Sequence, residues 1–225
     1  MPCAVDSISL LYTGPDWLLL EKPNGIGMHC DHGNDGFMVA ASRQFAMRLW
    51  PVHRLDKDTS GLILVATTAS AAARLSALFA ERRIEKYYLA QSHYKPNKKQ
   101  GWIKGDMTKT RNGCWKLQRS QEQPAITRFI SQTTLSENGT IRQFLLAPKT
   151  GKTHQLRVAL KSMAAPIDGD TRYGGQLSDR LYLHAYALRF TDQSHTYEFV
   201  HPPTVGVHWH ILPSEWQEPW QRLSL

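Results

Sequence analysis

The sequence predicts an α+β fold, with a mainly antiparallel mixed sheet flanked by helices. Three observations carry that expectation. Short runs of strand chemistry recur along the whole chain. Two pairs of these runs are joined by turn residues close enough to make hairpins. The helical patterns fall between strands without the strict alternation that a parallel sheet requires.

The elements follow in chain order. Residues 17–22, WLLLEK, read as a short buried strand ended by a Pro-Asn-Gly turn at 23–25. Residues 62–66, LILVA, read as a second buried strand. TTASAAARLSALFAERR has the strongest helix pattern: Thr68 or Ser70 caps it, alanines fill it, and Leu75, Leu78 and Phe79 share a face. KYYLAQSHY then returns to aromatic, alternating strand chemistry. AITRFISQTTL and TIRQFLLA flank the turn residues SENG, which predicts a hairpin over 125–147. A short helix is expected to start near Thr153, with Leu156 and Leu160 facing inward. LYLHAYALRFTDQSHTYEFV closes the pattern as a second hairpin-like pair.

With 225 residues, 41% of them hydrophobic, the chain can bury a sizeable core, and one domain over 1–225 is expected. No run approaches the length of a membrane span, and MPCAVDSISLLYTGPDW lacks the basic start and long apolar stretch of a secretory signal. Cys3, Cys30 and Cys114 are odd in number and widely spaced, as reduced thiols in a cytoplasmic protein are. Lys and Arg number 27 against 19 acidic residues. Such an excess is either ordinary solubility charge or the footprint of a polyanionic partner, of which nucleic acid is the commonest. The basic residues are spread through ERRIEKYY, KPNKKQGWIKGDMTKTRNGCWK and KTGKTHQLR, so only a fold can gather them onto one face.

Several familiar motifs fail. TGKTHQ ends like a phosphate loop, but the required earlier glycine is replaced by Leu146. His29, Cys30, Asp31 and His32 cluster in MHCDHG, and His208 and His210 in HWH, yet neither group has the paired spacing of metal ligands. No metal site and no serine or cysteine nucleophile is expected.

PVHRLDKDTSGLILVA, residues 51–66, sets a cluster of charges at the lip of an apolar run. Taken alone, Asp56 suits a turn carboxylate accepting from backbone amides as well as it suits chemistry. Tyr88 alone could be a core aromatic, and Arg157 a helix-surface base. Three segments taken together change this balance: HRLDKDTSGL at 53–62, KYYLA at 86–90 and GKTHQLRV at 151–158, in this order. They resemble the RluA-type pseudouridine synthases, in particular small members without an additional N-terminal RNA-binding domain. LLLEKPNGIGMH, PIDGDTRYGG and LYLHAYALRF extend the resemblance through most of the chain.

The resemblance implies a pseudouridine synthase fold and three catalytic residues. Asp56 resembles the catalytic aspartate, Tyr88 the aromatic lying against the target base, and Arg157 the basic residue paired with the aspartate. Arg54 resembles the arginine that enters the RNA stack where the nucleotide leaves, with His53, Thr59, Lys86, Lys152 and His154 as further RNA contacts. The implied partner is RNA, a stem-loop in rRNA or tRNA, bound by a monomer that needs neither cofactor nor metal. The chemistry suits these residue types. Uracil is detached from its ribose at nitrogen 1, turned and rejoined through carbon 5, with nothing oxidised or added. A carboxylate can serve as nucleophile or base, and an arginine within reach keeps it ionised. Extruding a stacked base costs a few kcal/mol, which an aromatic floor and a cation in the vacated space offset.

The chain departs from the family at Ala159, where a histidine is common, and at Ala165 and Asp168, where a glycine and an aliphatic residue are common. These changes bear on RNA contact and loop packing rather than on Asp56. Two other readings remain: a non-catalytic RNA-binding or ribosome-assembly protein, and a glycoside hydrolase using Asp56 and the rival carboxylate Asp58.

Overall fold

The computed structural model describes residues 7–30, 35–136, 139–209 and 211–223. Asp31, His32, His210 and Cys3 therefore lie outside the described residues. In chain order the strands are β1 (Leu10–Thr13), β2 (Trp17–Lys22), β3 (Trp50–Pro51), β4 (Ser60–Ala66), β5 (Ile84–Ser92), β6 (Gln100–Gly105), β7 (Met107–Lys109), β8 (Trp115–Leu117), β9 (Ala125–Ser136), β10 (Gly139–Pro148), β11 (Leu183–Asp192) and β12 (His195–Val200). The helices are α1 (Phe37–Gln44), α2 (Ala69–Ala80), α3 (Gln155–Ser162) and the single turn α4 (Pro219–Arg222).

Ten strands form one sheet in the order β1-β2-β4-β11-β5-β10-β9-β6, with β3 beside β4 and β12 beside β11. β7 and β8 make a separate hairpin. The expected α+β architecture with a mainly antiparallel sheet is what the chain adopts. Among the described residues, β4 and β11 form the parallel contact, through His184 opposite Ser60 and Ala185 opposite Gly61. Gly61 is required there: its φ is +108°, and a Cβ would sit 2.3 Å from the Ala185 carbonyl oxygen.

The helices cover the sheet as their patterning demands. The Thr68 hydroxyl accepts from the Ala71 amide at the start of α2, a cap worth about 0.5–2 kcal/mol. Ala71, Leu75 and Leu78 of α2 pack on Leu62, Leu64 and Ala66 of β4. α1 presents Phe37, Met38 and Ala41 to Leu20, Ile63 and Val65. α3 packs Leu156, Ala159 and Leu160 against Phe129, Phe144 and Leu146. Tyr88 of β5 touches both of these last two clusters. It therefore lies at the seam between the parts of the sheet that α1 and α3 cover.

Three local expectations shift. The third helix begins at Gln155 rather than near Thr153, because His154 has a left-handed backbone (φ 57°, ψ 19°) that stops the helix from extending backward. Helix α1 and strands β6–β8 carried no strong pattern. α1 is eight residues long, and the lysine-rich segment holding β6–β8 reads as charge before it reads as strand. Asp168, the departure noted above, is 3% exposed and matched by a partner: its carboxylate accepts from the His93 amide (3.1 Å) and pairs with His93 Nδ1 (2.8 Å).

Candidate active site

The segment 52–59 crosses from β3 to β4 as a tight loop. The Thr59 amide donates to the Asp56 carbonyl at 3.1 Å, closing a turn. Underneath it lies a lysine with no exposed surface. Lys22, the last residue of β2, donates from Nζ to the carbonyls of Pro23 (2.8 Å), Lys57 (2.9 Å) and Thr59 (2.9 Å). Three N–H protons meet three carbonyl oxygens. Burial outweighs the nearby charges of Asp58 and Asp56, which favour the ammonium, and leaves Lys22 lowered to about 7.

This loop forms one wall of a cleft of about 810 Å³. His53, Arg54, Asp56, Thr59, Lys86, Tyr88, Lys152 and His154 all line it, so eight of the nine residues singled out in the sequence meet at one place. Asp56 is half-buried there, whereas Asp58 is exposed and does not line the cleft. The Asp56 carboxylate has no hydrogen-bond or ion-pair partner among the described residues. Its charge nevertheless reaches Tyr88, His154, Arg157 and Lys22, in each case favouring the protonated form. Burial first, and then Asp56, holds the Tyr88 hydroxyl above its ordinary range.

Arg157 is the ninth residue, and here the sequence expectation needs correcting. Its guanidinium does not pair directly with Asp56. It forms a two-pronged ion pair with Asp170: Nε to Oδ2 and Nη2 to Oδ1, both at 2.7 Å. Arg157 is 8% exposed and Asp170 1%. The reason is geometric. Asp170 lies in the loop after α3, where its carboxylate plane matches the guanidinium fork, and Asp170 also accepts from the Tyr173 amide. Arg157 lies over the Tyr173 ring, 5.1 Å from its centroid. Asp56 acts on it through space alone.

The other residues divide by what already holds them. His53 is a neutral ring: its Nε2 accepts from the Leu64 amide (2.9 Å), it stacks on Phe79 with centroids 4.2 Å apart, and burial drives its pKa down to about 3. It braces the wall and offers no positive charge at neutral pH. Lys152 donates to the Gln123 carbonyl at 2.6 Å, and His154 Nδ1 meets the Tyr173 hydroxyl at 2.8 Å. Burial lowers the pKa of Lys86. Arg54 is exposed at the rim, with no ion-pair partner among the described residues.

Behind the loop, a buried chain of hydrogen bonds fixes the β4–β11 junction. The His184 Nε2–H donates to the His201 carbonyl (2.9 Å), so Nδ1 accepts from the Ser60 hydroxyl (2.8 Å). Ser60 in turn accepts from Arg180 Nη2 at 2.5 Å. Sequence reasoning missed Lys22, Asp170 and this network. The available signal for Lys22 was a lysine closing a mainly apolar strand ahead of Pro-Asn-Gly; Asp170 lay in a segment already quoted, two residues past the one noticed.

Residues 16–162 match the family model described as RNA pseudouridylate synthase. An uncharacterized RNA pseudouridine synthase of Haemophilus influenzae is 44% identical over 214 residues, covering 94% of each chain. The ribosomal large subunit pseudouridine synthase C of Rickettsia bellii is 37% identical over 78% of this chain and 61% of its own length. The chain thus spans about three-fifths of that longer relative. Among solved structures, human RNA pseudouridylate synthase domain containing 1 superposes with a TM-score of 0.77 at 26% identity, covering 90% of this chain and 86% of that one.

Proposed function

This chain belongs to the RNA pseudouridylate synthase family, and from that premise we propose that Asp56 is the carboxylate that isomerises a uridine in structured rRNA or tRNA. The protein is an RNA pseudouridine synthase, an isomerase, and its substrate is RNA. One observation carries the choice of Asp56: it is a half-buried carboxylate in an 810 Å³ cleft, with its oxygens unclaimed by hydrogen bonds among the described residues. A structural turn aspartate spends its oxygens on nearby amides; this one leaves them open to a ligand.

In this reading the target uridine leaves its stack and its base lies on Tyr88. Asp56 attacks as nucleophile or acts as base while uracil is released at nitrogen 1 and rejoined at carbon 5. Tyr88 stays a protonated phenol, so its ring and its O–H are both available to the base. Arg157 supplies positive potential towards Asp56 and, through Asp170, locks α3 to the loop after it. Arg54 is the exposed cation at the rim, placed to occupy the space the base vacates. Thr59, Lys86, Lys152 and His154 contribute to the RNA-facing wall, and His53 supports that wall from behind. The enzyme works as a cytoplasmic monomer, and the walls of this cleft take part in recognising its RNA.

The glycoside hydrolase reading is disfavoured because Asp58 does not line the cleft with Asp56. The proposal is tested by Asp56→Asn and Asp58→Asn, with pseudouridine mapped in RNA from cells lacking the gene. Asp56→Asn is expected to abolish modification and keep RNA affinity within a few-fold, while Asp58→Asn retains substantial activity. Near-normal turnover by Asp56→Asn would end the assignment.

A further inference from the structure

The edge strand β6 carries an exposed tryptophan that the catalytic cleft does not use. Trp102 is 41% exposed, and three cations gather on its ring: Lys149 Nζ at 5.3 Å, Lys104 Nζ at 5.4 Å and the Arg128 guanidinium at 5.6 Å from the centroid. Strand register fixes its place. Tyr88 pairs with Leu146, Leu146 with Phe129, and Phe129 with Gly101. Trp102 is the next residue, so its side chain leaves the sheet on the face opposite to Tyr88. On that opposite face, the C-terminal residues Trp216 and Leu223 pack over Leu145 and Ala147. Trp102 stays open beyond them.

Lys149 links the two faces. It follows β10 at the sheet rim, lines the catalytic cleft, and reaches the Trp102 ring with its ammonium. A strand leaving the cleft past Lys149 therefore arrives at Trp102 with cations on its way.

Resting on the reading of the cleft as an RNA site, we propose that Trp102 is a stacking platform for an unpaired nucleotide flanking the target uridine. Lys104, Arg128 and Lys149 neutralise the phosphates beside it. Every base has a π-face, so stacking on an indole tolerates any sequence, and a stacked base is worth more than an exposed cation–π contact. RNA displaces the cations from the ring at a net gain, because they turn to phosphate. Three cations of one sign converging on one aromatic suit a polyanion carrying flat rings better than a protein partner.

The test uses a fluorescein-labelled 12-nucleotide oligouridylate and the full chain. Trp102→Ala should weaken binding by about 5- to 160-fold, the range that loss of one stacked base produces. Trp102→Phe keeps a π-face and should stay within about threefold of wild type. Lys104→Gln should lower the dependence of log affinity on log salt by about 0.7, one single-strand phosphate contact. Thermal melting of each variant, matched to wild type, assigns the losses to the surface rather than to unfolding. Wild-type affinity in Trp102→Ala would overturn the platform, and so would polyglutamate competing as well as RNA. A wild-type protein that forms pseudouridine in cellular RNA but does not bind the oligouridylate would also overturn it, leaving the catalytic reading standing. Failure of that reading shows separately, as Asp56→Asn retaining turnover.

Discussion

Lys22→Met isolates the support beneath the proposed catalytic loop. Methionine fills nearly the same volume but donates nothing, so the Pro23, Lys57 and Thr59 carbonyls lose their shared donor. A buried carbonyl left unpaired costs about 1–3 kcal/mol, so the three together set an upper limit of about 9 kcal/mol, with the buried Thr59 carbonyl the surest loss. Against this, the variant no longer buries an ammonium. The fall of Lys22 from 10.5 to about 7 corresponds to about 5 kcal/mol against the charged form. The two contributions largely offset, so global stability is the weaker readout, with a change of no more than about 4 kcal/mol. Position has no such offset. Freed carbonyls at 57 and 59 let the turn carrying Asp56 relax, and a displacement of about 1 Å at a reacting group costs on the order of 100-fold in rate. Single-turnover pseudouridine formation should therefore fall by about two orders of magnitude, with urea denaturation and RNA binding recorded on the same preparations. Turnover within threefold of wild type would refute the idea that Lys22 positions this loop.

Other outcomes follow from the same geometry. Arg157→Ala leaves the buried Asp170 carboxylate uncompensated, so it should cost about 3–5 kcal/mol in chemical denaturation; pairing Arg157→Met with Asp170→Asn should recover at least half of that. His53 and His184 are both pushed down to about 3 from 6.5. The unfolded chain binds more protons than the folded one between those values, so stability is full above pH 6.5 and falls as pH drops towards 3. Each ring contributes a slope of up to about 1.4 kcal/mol per pH unit, and denaturation of His184→Gln across that window should be correspondingly flatter. Arg54→Ala should slow modification of a paired target more than of an already unpaired one, since extrusion then costs less. Equal losses on both substrates would leave Arg54 without a role in base flipping.

The local parts of this molecule were readable from the sequence wherever periodicity and burial agree. β2, β4, α2 and the β9–β10 hairpin follow directly from apolar runs, a threonine cap and turn residues. The three charged segments also converge, because each ends or begins beside an apolar element that the sheet brings to the same side. Partner choice was not readable in the same way. Arg157 meets Asp170 only because the loop after α3 folds back over it, and nothing in QLR records that return. Lys22 looks like an ordinary surface lysine until the 57–59 carbonyls close over it. Asp168, an oddity by itself, becomes intelligible with His93, the residue just past β5 and 75 positions earlier.

The β4–β11 junction also sets a timetable. Ser60 and His184 are 124 residues apart, and a ribosome adding about 5–20 residues per second delivers the second roughly 6–25 s after the first. Until then β4, with every residue buried in the finished protein, has an open edge on its β11 side, and such an edge invites pairing with another nascent chain. Closing so distant a contact is also slow in itself, because its loop entropy must be met before the contact gives anything back. Maturation of the loop that holds Asp56 therefore comes late in synthesis, and appearance of activity reports completion of the whole sheet.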